Sequence, residues 1–215
     1  MVKVDRFLIG IAFTFHGLIE YARILEDQVK RITHAEALRI KRTAYVESEL
    51  SDAWYEHAWL FEETLPRALR YSCLVLLFTA LETILKEICE KLRERSGSKL
   101  SFTDLKGNTL QQTLAYFEKV LDVKIADDTF RSHLNKLYEL RNCIVHAGGK
   151  VERSKEAPKL KSIINRLEGF ELSRDGYLEI KNGTCGRELN DTKRWVENLW
   201  QTASASVPIP SALTR

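Results

Sequence analysis

The sequence has few residues that interrupt secondary structure, with ten glycines and four prolines among 215 residues. Long uninterrupted helices or strands are therefore predicted. The sequence also contains no internal repeat and no low-complexity tract. A glycine-rich phosphate loop is also absent, which argues against a protein that only binds nucleotides. His16, His34 and His57 lack the spacing of metal ligands, so we predict neither a metal site nor a cofactor.

Cysteines and long apolar runs are scarce as well. The four cysteines are widely spaced and form no C-x-x-C pair, and Cys73 and Cys89 are predicted to be small core residues. The richest apolar run, Cys73 to Leu81, is too short to span a bilayer. The apolar stretch from Phe7 to Phe15 lacks a small-residue cleavage site after it, unlike a signal peptide. We therefore expect a cytoplasmic protein without a membrane-spanning segment.

The composition is that of an ordinary globular protein, with 44% hydrophobic and 29% charged residues. The net charge of +3 is too small to indicate nucleic-acid binding by itself. Residues 131–166, however, hold nine Lys or Arg and only three Glu. This local excess of positive charge favours a polyanionic partner, although a solvated basic loop has the same composition.

Hydrophobic periodicity predicts an all-α protein. Apolar residues from Val4 to Ile32 recur at helical spacing and indicate one long core helix. Thr33 and Glu36 match a capping box, which predicts that a second, more polar helix begins there. Pro66 is expected to mark the next helix boundary.

A broad apolar face identifies residues 67–95 as the central helix. We predict a helical bundle domain over residues 1–150. A C-terminal extension over residues 151–215 is predicted to pack on the same domain. A loose tail is expected from Val207 onward. The other predicted elements are helices over about 109–122, 128–146, 158–166 and 191–203, and a β-hairpin over 170–180 around Asp175-Gly176.

The helix predicted over 128–146 carries an arginine within its apolar stripe. The stripe consists of Phe130, Leu134, Leu137 and Ile144, and position 141 lies within about 40° of the first three on an ideal helix. Because burial of an unpaired charge is costly, Arg141 needs an anionic or polar partner, a cleft, or another subunit.

His146 lies at the predicted end of the same helix, before Gly148-Gly149. A helix C-terminus favours the charged imidazolium form, which suits a group that exchanges protons near neutral pH. Asn142 is four residues earlier, on the same face, within hydrogen-bonding reach of His146. In a purely structural interpretation, these side chains only satisfy free carbonyls at the helix end.

The spacing raises a geometric difficulty for any joint role of Arg141 and His146. Five residues on an ideal helix correspond to a rotation of about 140°, so the two side chains do not converge. Convergence requires either that the last turn unwinds, for which the glycine pair gives room, or that a second copy contributes its own motif.

The segment Arg141-Asn142-Cys143-Ile144-Val145-His146 resembles the motif of the HEPN superfamily, in which an arginine is followed after four to six residues by a histidine. It has the common form in which asparagine follows the arginine. The all-helical context, the long apolar central helix and the late position of the motif also fit. The resemblance covers roughly residues 1–150 and implies that this domain is a HEPN-like helical bundle.

The resemblance implies a metal-independent endoribonuclease that acts as a dimer with two motifs in one cleft. It implies that His146 is the acid/base residue for attack of a 2′-hydroxyl on the adjacent phosphate, and that Arg141 binds the phosphate. Asn142 is then expected to orient His146 or the RNA backbone. Glu82 and Lys86 on the central helix are candidate supporting residues, although an ordinary helix ion pair has the same spacing.

The family also implies biological expectations. RNA is the expected substrate, and many relatives are toxins or defence effectors encoded with a nucleotidyltransferase-type antitoxin. A different class of function stays open, since some HEPN-like domains are non-catalytic binding or scaffold modules. For such a module, the β-hairpin and the last helix, with Trp195 and Trp200, are a candidate surface for a protein partner.

Overall fold

The structure is a computed structural model that describes residues 5–43, 47–124 and 128–207. Val4 and the tail from residue 208 therefore lie outside the described residues. Helices dominate and the two strands are short, so the predicted all-α character is confirmed. The elements are α1 Arg6–Thr43, α2 Glu47–His57, a π-helix Ala58–Thr64, α3 Leu65–Ser96, α4 Thr109–Lys119, α5 Asp128–Ala147, α6 Ala157–Ile164, β1 Phe170–Leu172, β2 Leu178–Ile180 and α7 Thr184–Ser206, with 3₁₀ turns at Phe102–Asp104 and Val151–Arg153.

The chain divides into two compact units. Unit 1 comprises Met1–His16, Leu77–Tyr138 and Leu189–Arg215, and unit 2 comprises Gly17–Leu76 and Glu139–Glu188. The long helices α1, α3, α5 and α7 contribute residues to both units. The domain boundary near residue 150 stays a prediction.

The core of unit 1 is built from the apolar faces of α3, α4 and α5 and from the two tryptophans of α7. Trp195 and Trp200 are buried, and the indole N–H of Trp200 donates a hydrogen bond to Asp5 at 2.7 Å. Both side chains are therefore part of the core. The fully buried side chains of this unit include Phe15, Phe78, Leu81, Leu85, Ile88, Leu92, Leu114 and Phe117.

Unit 2 contains a pair of antiparallel helical segments, residues 21–43 and residues 47–72, which we call the helical arm. Four contacts establish the antiparallel register, because the residue number rises on the second segment as it falls on the first. These contacts are Lys41 with the ring of Trp54, Thr33 with the carbonyl of Phe61, Glu26 with Arg70, and Tyr21 with Ser72.

The predicted helix boundary at Thr33 is wrong, because α1 continues to Thr43. The Thr33 hydroxyl donates to the carbonyl of Phe61 at 3.2 Å and does not cap a helix, and Glu36 pairs with Arg39. No local pattern reveals the partner of Thr33, which is 28 residues away.

The boundary predicted at Pro66 is confirmed to within one residue, since α3 begins at Leu65, and the π-helix leads into α3 without a break. The π-helix directly before it uses the wider register, in which the Leu65 N–H bonds the carbonyl of Leu60. In that register the next donor would be the nitrogen of Pro66, which has no hydrogen. The carbonyl of Phe61 that loses this donor is the one that Thr33 satisfies.

The β-hairpin is confirmed, with Phe170 opposite Ile180 and Leu172 opposite Leu178. Helix α7 begins at Thr184, seven residues before the predicted start at Asp191. Its first turns contain a glycine and an asparagine, which lower the helix signal, but Cys185 and Leu189 are buried there.

Two helices, Arg6–Arg42 and Ser51–Ser96, are long and apolar enough to cross a membrane by length and composition alone. In the structure, 17% and 39% of their most apolar windows are buried. The core helix of a soluble protein passes the same test, so a cytoplasmic location without membrane spans stays a prediction.

Candidate functional site

The buried face of α5 determines where Arg141 lies. Leu134 and Leu137 are buried as predicted, but Leu140 is also fully buried. The inward face is therefore rotated away from Arg141, which is only partly buried at its edge. One Nη of Arg141 donates a hydrogen bond to Oδ1 of Asn142 at 3.1 Å. The arginine thus occupies the border of the core, where its charge is compatible with nearby solvent.

His146 lies on the last turn of α5 and is exposed. Its imidazole has no hydrogen-bond or ion-pair partner within residues 5–43, 47–124 and 128–207. The carbonyls of Cys143 and Ala147 accept hydrogen bonds from the backbone N–H groups of Gly149 and Lys150, each at 3.1 Å. The backbone therefore satisfies these carbonyls and leaves the imidazole available to a ligand.

The structure brings together Arg141 and Asn142 but not Arg141 and His146. Helix α5 remains regular to Ala147, so the last turn does not unwind. The side-chain amide oxygen of Asn142 accepts a hydrogen bond from Arg141, and the amide forms none with His146. Because the helix is intact, the rotation of about 140° between Arg141 and His146 is retained.

The chain that follows the motif is bound to the β-hairpin. The Leu178 N–H donates to the carbonyl of Gly149 at 2.9 Å, and the Val151 N–H donates to that of Gly176 at 3.0 Å. Residues 149–151 thus form an isolated antiparallel bridge at the start of β2, with Lys150 opposite Tyr177. The first part of the C-terminal extension therefore supports the end of the motif helix.

Two cations flank the ring of Tyr177. The Nζ of Lys150 lies 4.8 Å from the ring centroid, and the Cζ of Arg67 lies 4.5 Å from it. Lys150 also donates to the carbonyl of Asp175, and Arg67 pairs with Glu179 at 2.7 Å. Burial raises the pKa of Glu179, and the hydrogen bond from Arg67 opposes that shift. These contacts hold a positive charge four residues beyond His146.

The basic segment after the motif is largely exposed. Lys159 of α6 pairs with Glu139 of α5 at 2.8 Å, so its charge is matched within this region. The other exposed cations of this segment form no ion pair within the described part of the chain; they are Arg153, Lys155, Lys161 and Arg166. The local basic charge predicted from the sequence is therefore available to solvent.

The remaining predicted residues lie elsewhere or have structural roles. Glu82 is partly buried and Lys86 is exposed, both on the part of α3 that belongs to unit 1, and no ion pair joins them among the described side chains. All four cysteines are buried and free, as predicted for Cys73 and Cys89. Within the described residues, no group of three or more His, Cys, Asp or Glu is arranged to hold a metal ion.

Tyr71 is the residue near the site that sequence reasoning missed. Its hydroxyl donates to the carbonyl of Leu178 at 2.5 Å, and burial raises its pKa. The only sequence signal was indirect, namely the glycine pair that follows the motif, since Gly149 packs against the phenol.

No family model, curated protein or solved structure matches the chain. The resemblance to the HEPN superfamily therefore rests on the motif at the end of α5 and on its helical setting.

Proposed function

We propose that this protein is a metal-independent endoribonuclease of the HEPN type, acting as a toxin or defence effector. The observation that carries the proposal is the end of α5. An exposed His146, which has no partner among the residues that the structure describes, follows there an arginine hydrogen-bonded to Asn142. The exposed cations of the following segment supply the charge that a polyanionic substrate requires.

In this proposal His146 accepts the proton of a ribose 2′-hydroxyl, and the 2′-oxygen forms a bond to the adjacent phosphorus. The bond between phosphorus and the 5′-oxygen breaks, and the leaving oxygen takes a proton from the His146 of a second copy. The products are a 2′,3′-cyclic phosphate and a 5′-hydroxyl, and no metal ion takes part.

Arg141 contributes the positive charge that stabilises the phosphate as negative charge develops on its oxygens. The hydrogen bond to Asn142 restricts the guanidinium, so less conformational entropy is lost when the phosphate binds. We therefore assign Asn142 the role of orienting Arg141, in addition to any contact with RNA.

The intact last turn of α5 supports a site formed by two copies. Arg141 and His146 of one chain point in directions about 140° apart, so one chain does not direct both at the same phosphate. In a symmetric dimer, His146 of one copy and Arg141 of the other can face a common cleft.

The test is incubation of the purified protein with structured RNA in the presence of EDTA. We expect cleavage to 2′,3′-cyclic phosphate ends, and its loss in His146→Ala and in Arg141→Ala. Matched controls are His16→Ala and Arg6→Ala, which remove an exposed histidine and an exposed arginine of α1. All five proteins are purified in parallel, and circular dichroism verifies that each is folded.

Intact RNA at high concentrations of wild-type protein would overturn the proposal, as would equal activity of His146→Ala and His16→Ala. Toxicity on expression that is relieved by His146→Ala would support it in vivo. Persistence of wild-type cleavage in EDTA is required, because the proposed chemistry uses no metal.

A second candidate is a non-catalytic helical binding module. The observation that favours it is the exposure of Tyr55 and Trp59 on the helical arm, 78% and 58% respectively. Trp195 and Trp200 do not serve this role, because both are buried. An inactive but folded wild type that retains an interaction through the arm would favour this candidate.

A further inference from the structure

Cys73 of α3 and Cys185 of α7 lie side by side within unit 2. The Sγ of Cys185 lies 3.6 Å from the carbonyl oxygen of Arg70. A helical side chain tilts toward the N-terminus of its helix, so the side chain of Cys73 lies over this same carbonyl of the preceding turn. The two thiols share a hydrogen bond, and both line one cavity. Two cysteines that are far apart in the sequence are therefore neighbours in the fold.

The cavity beside the two thiols has a volume of about 220 Å³ and is partly open. Its lining is mostly apolar, and the ion pair between Glu26 and Arg70 forms its polar part. Leu25 and Leu69 also line it and are only half-buried, so the cavity reaches the surface of the unit. Because a water molecule takes up about 30 Å³ in the liquid, a small uncharged molecule such as hydrogen peroxide fits in this space.

The environment makes the two thiols unequal. The hydrogen bond from Cys185 lowers the pKa of the Cys73 thiol, against the effect of burial, and the charge of Arg70 acts in the same direction as the hydrogen bond. The same hydrogen bond, together with burial, raises the pKa of Cys185. Burial also raises the pKa of Cys143, and it raises that of Cys89 to about 12. Since the thiolate is the reactive form of cysteine, Cys73 is the residue that meets an oxidant as a nucleophile.

We propose that Cys73 and Cys185 are a reversible oxidation site for hydrogen peroxide, and that the product is a disulfide between α3 and α7. The sulfur of Cys73 attacks one oxygen of the peroxide; an S–O bond forms, the O–O bond breaks, and the leaving hydroxide takes up a proton to become water. Cys185 then loses its proton and its sulfur attacks the sulfenic sulfur of Cys73; the S–S bond forms, the S–O bond breaks, and a second water leaves. The pair thus loses two electrons to one peroxide, and a reducing thiol restores both cysteines.

The disulfide would strengthen a junction that already supports the turn after the motif. Tyr71 of α3 bonds the carbonyl of Leu178, and the N–H of Leu178 bonds the carbonyl of Gly149. A bond from Cys73 to Cys185 makes this junction covalent and closes a loop of about 110 residues, which restricts the unfolded chain. The inference does not depend on ribonuclease activity, because neither cysteine belongs to the proposed catalytic residues.

The test is thiol titration and peptide mapping of the full chain before and after treatment with hydrogen peroxide. The reduced wild type should titrate in denaturant as four thiols, and the oxidised protein should lose two of the four. We expect a mass lower by two hydrogen atoms and a linked pair of peptides that contain Cys73 and Cys185. Dithiothreitol should restore all the thiols. The Tm of the oxidised protein should exceed that of the reduced protein by at least about 5 °C, because the closed loop is long.

Single variants test the order of the two steps. In Cys185→Ala the sulfenic acid of Cys73 has no resolving thiol, so dimedone should label Cys73 after peroxide treatment. In Cys73→Ala the remaining Cys185 should stay a thiol and take no label. The matched control is Cys89→Ala, which removes another buried thiol of α3 and should form the disulfide as readily as the wild type.

Retention of all the thiols by peroxide-treated wild type would overturn the inference. So would a linked pair of peptides other than those of Cys73 and Cys185, dimedone labelling of Cys185 in Cys73→Ala, or an unchanged Tm after oxidation. Peptide mapping of the wild type requires no substitution, so the inference stays falsifiable if a variant fails to fold. Failure of RNA cleavage would leave the oxidation site intact, and failure of oxidation would leave the catalytic proposal intact.

Discussion

The hydroxyl of Tyr71 donates a hydrogen bond to the carbonyl of Leu178, at 2.5 Å, and so joins α3 to β2. The same phenol occupies the space beside Gly149. A Cβ placed on Gly149 would lie 2.0 Å from the Tyr71 oxygen, and Gly149 has a φ of +78°. One tyrosine thus fixes both the hairpin and the turn that follows His146.

This contact predicts different costs for the two neighbouring glycines. Gly148→Ala should cost about 1 kcal/mol of unfolding free energy, because φ is +61° but no atom of the described residues lies within 4 Å of the added carbon. Gly149→Ala should cost at least about 3 kcal/mol, since the new methyl also collides with the phenol. Urea unfolding of the two variants measures the difference.

Replacement of Tyr71 tests whether the collision with its phenol causes the higher cost of Gly149→Ala. In a Tyr71→Ala background, which is itself destabilised, the additional cost of Gly149→Ala should fall toward that of Gly148→Ala. Equal costs of the two glycine substitutions in the wild-type background would contradict the assigned packing.

Much of the fold could be predicted from the sequence where the determinants are local. The central helix, α5 and the β-hairpin follow from apolar periodicity and from Asp175-Gly176. The continuity of α1 through Thr33 could not be predicted, because the partner of the Thr33 hydroxyl, the carbonyl of Phe61, lies in a segment distant in sequence. The π-helix that leads directly into α3 at Leu65 had no local pattern either.

The candidate site could also be predicted from the sequence only in part. The motif itself is a local pattern, so Arg141, Asn142 and His146 were found from the sequence. The edge position of Arg141 depends on the burial of Leu140, which does not belong to the apolar stripe predicted from the sequence. The support of Gly149 by Tyr71 depends on tertiary packing and had no pattern of its own.

The ion pair between Arg70 and Glu26 is predicted to stabilise the helical arm. Two hydrogen bonds of 2.7 and 2.9 Å join the guanidinium to the carboxylate, and the side chains are only 19% and 17% exposed. The hydrogen bond that Arg70 donates to Glu26 raises the pKa of Arg70. Glu26→Gln should lower the unfolding free energy by about 1.5–3 kcal/mol, because a partly buried cation loses its partner.

The control for that substitution is Glu20→Gln. Glu20 pairs with Arg23 on the same helix, but those side chains are 40% and 59% exposed. An exposed pair contributes little, so we expect a loss below about 1 kcal/mol in the same urea experiment. Similar losses for the two substitutions would show that burial does not determine the strength of the Arg70 pair.

Thr192 is predicted to be a site where a substitution increases stability. It is fully buried in α7, and its hydroxyl oxygen has no hydrogen-bond partner among the described residues. Thr192→Val keeps the shape and removes the unsatisfied group, so the unfolding free energy should rise by about 0.5–1 kcal/mol. Thermal unfolding followed by circular dichroism measures this change as a higher Tm.

Thr113 provides the matched comparison. It is equally buried, but its hydroxyl donates to helix carbonyls of Thr109 and Leu110 at 2.9 and 3.0 Å. Thr113→Val should therefore leave the Tm unchanged or lower it. A lower Tm for Thr192→Val than for Thr113→Val would indicate that Thr192 has a partner that the valine cannot replace.

The thiol of Cys89 is predicted to make the fold sensitive to alkaline pH. Burial raises the pKa of this thiol from 9.0 to about 12. Above pH 9 the unfolded chain loses the proton while the folded chain retains it, so stability falls as pH rises toward 12. At about pH 10.5 the loss of unfolding free energy from this group approaches about 2 kcal/mol.

Urea unfolding at about pH 8 and pH 10.5 should show a smaller decrease in stability in Cys89→Ala than in the wild type. The cavity left by the substitution lowers stability at both pH values, so it cancels in the comparison. An identical pH dependence of the two proteins would contradict the assignment.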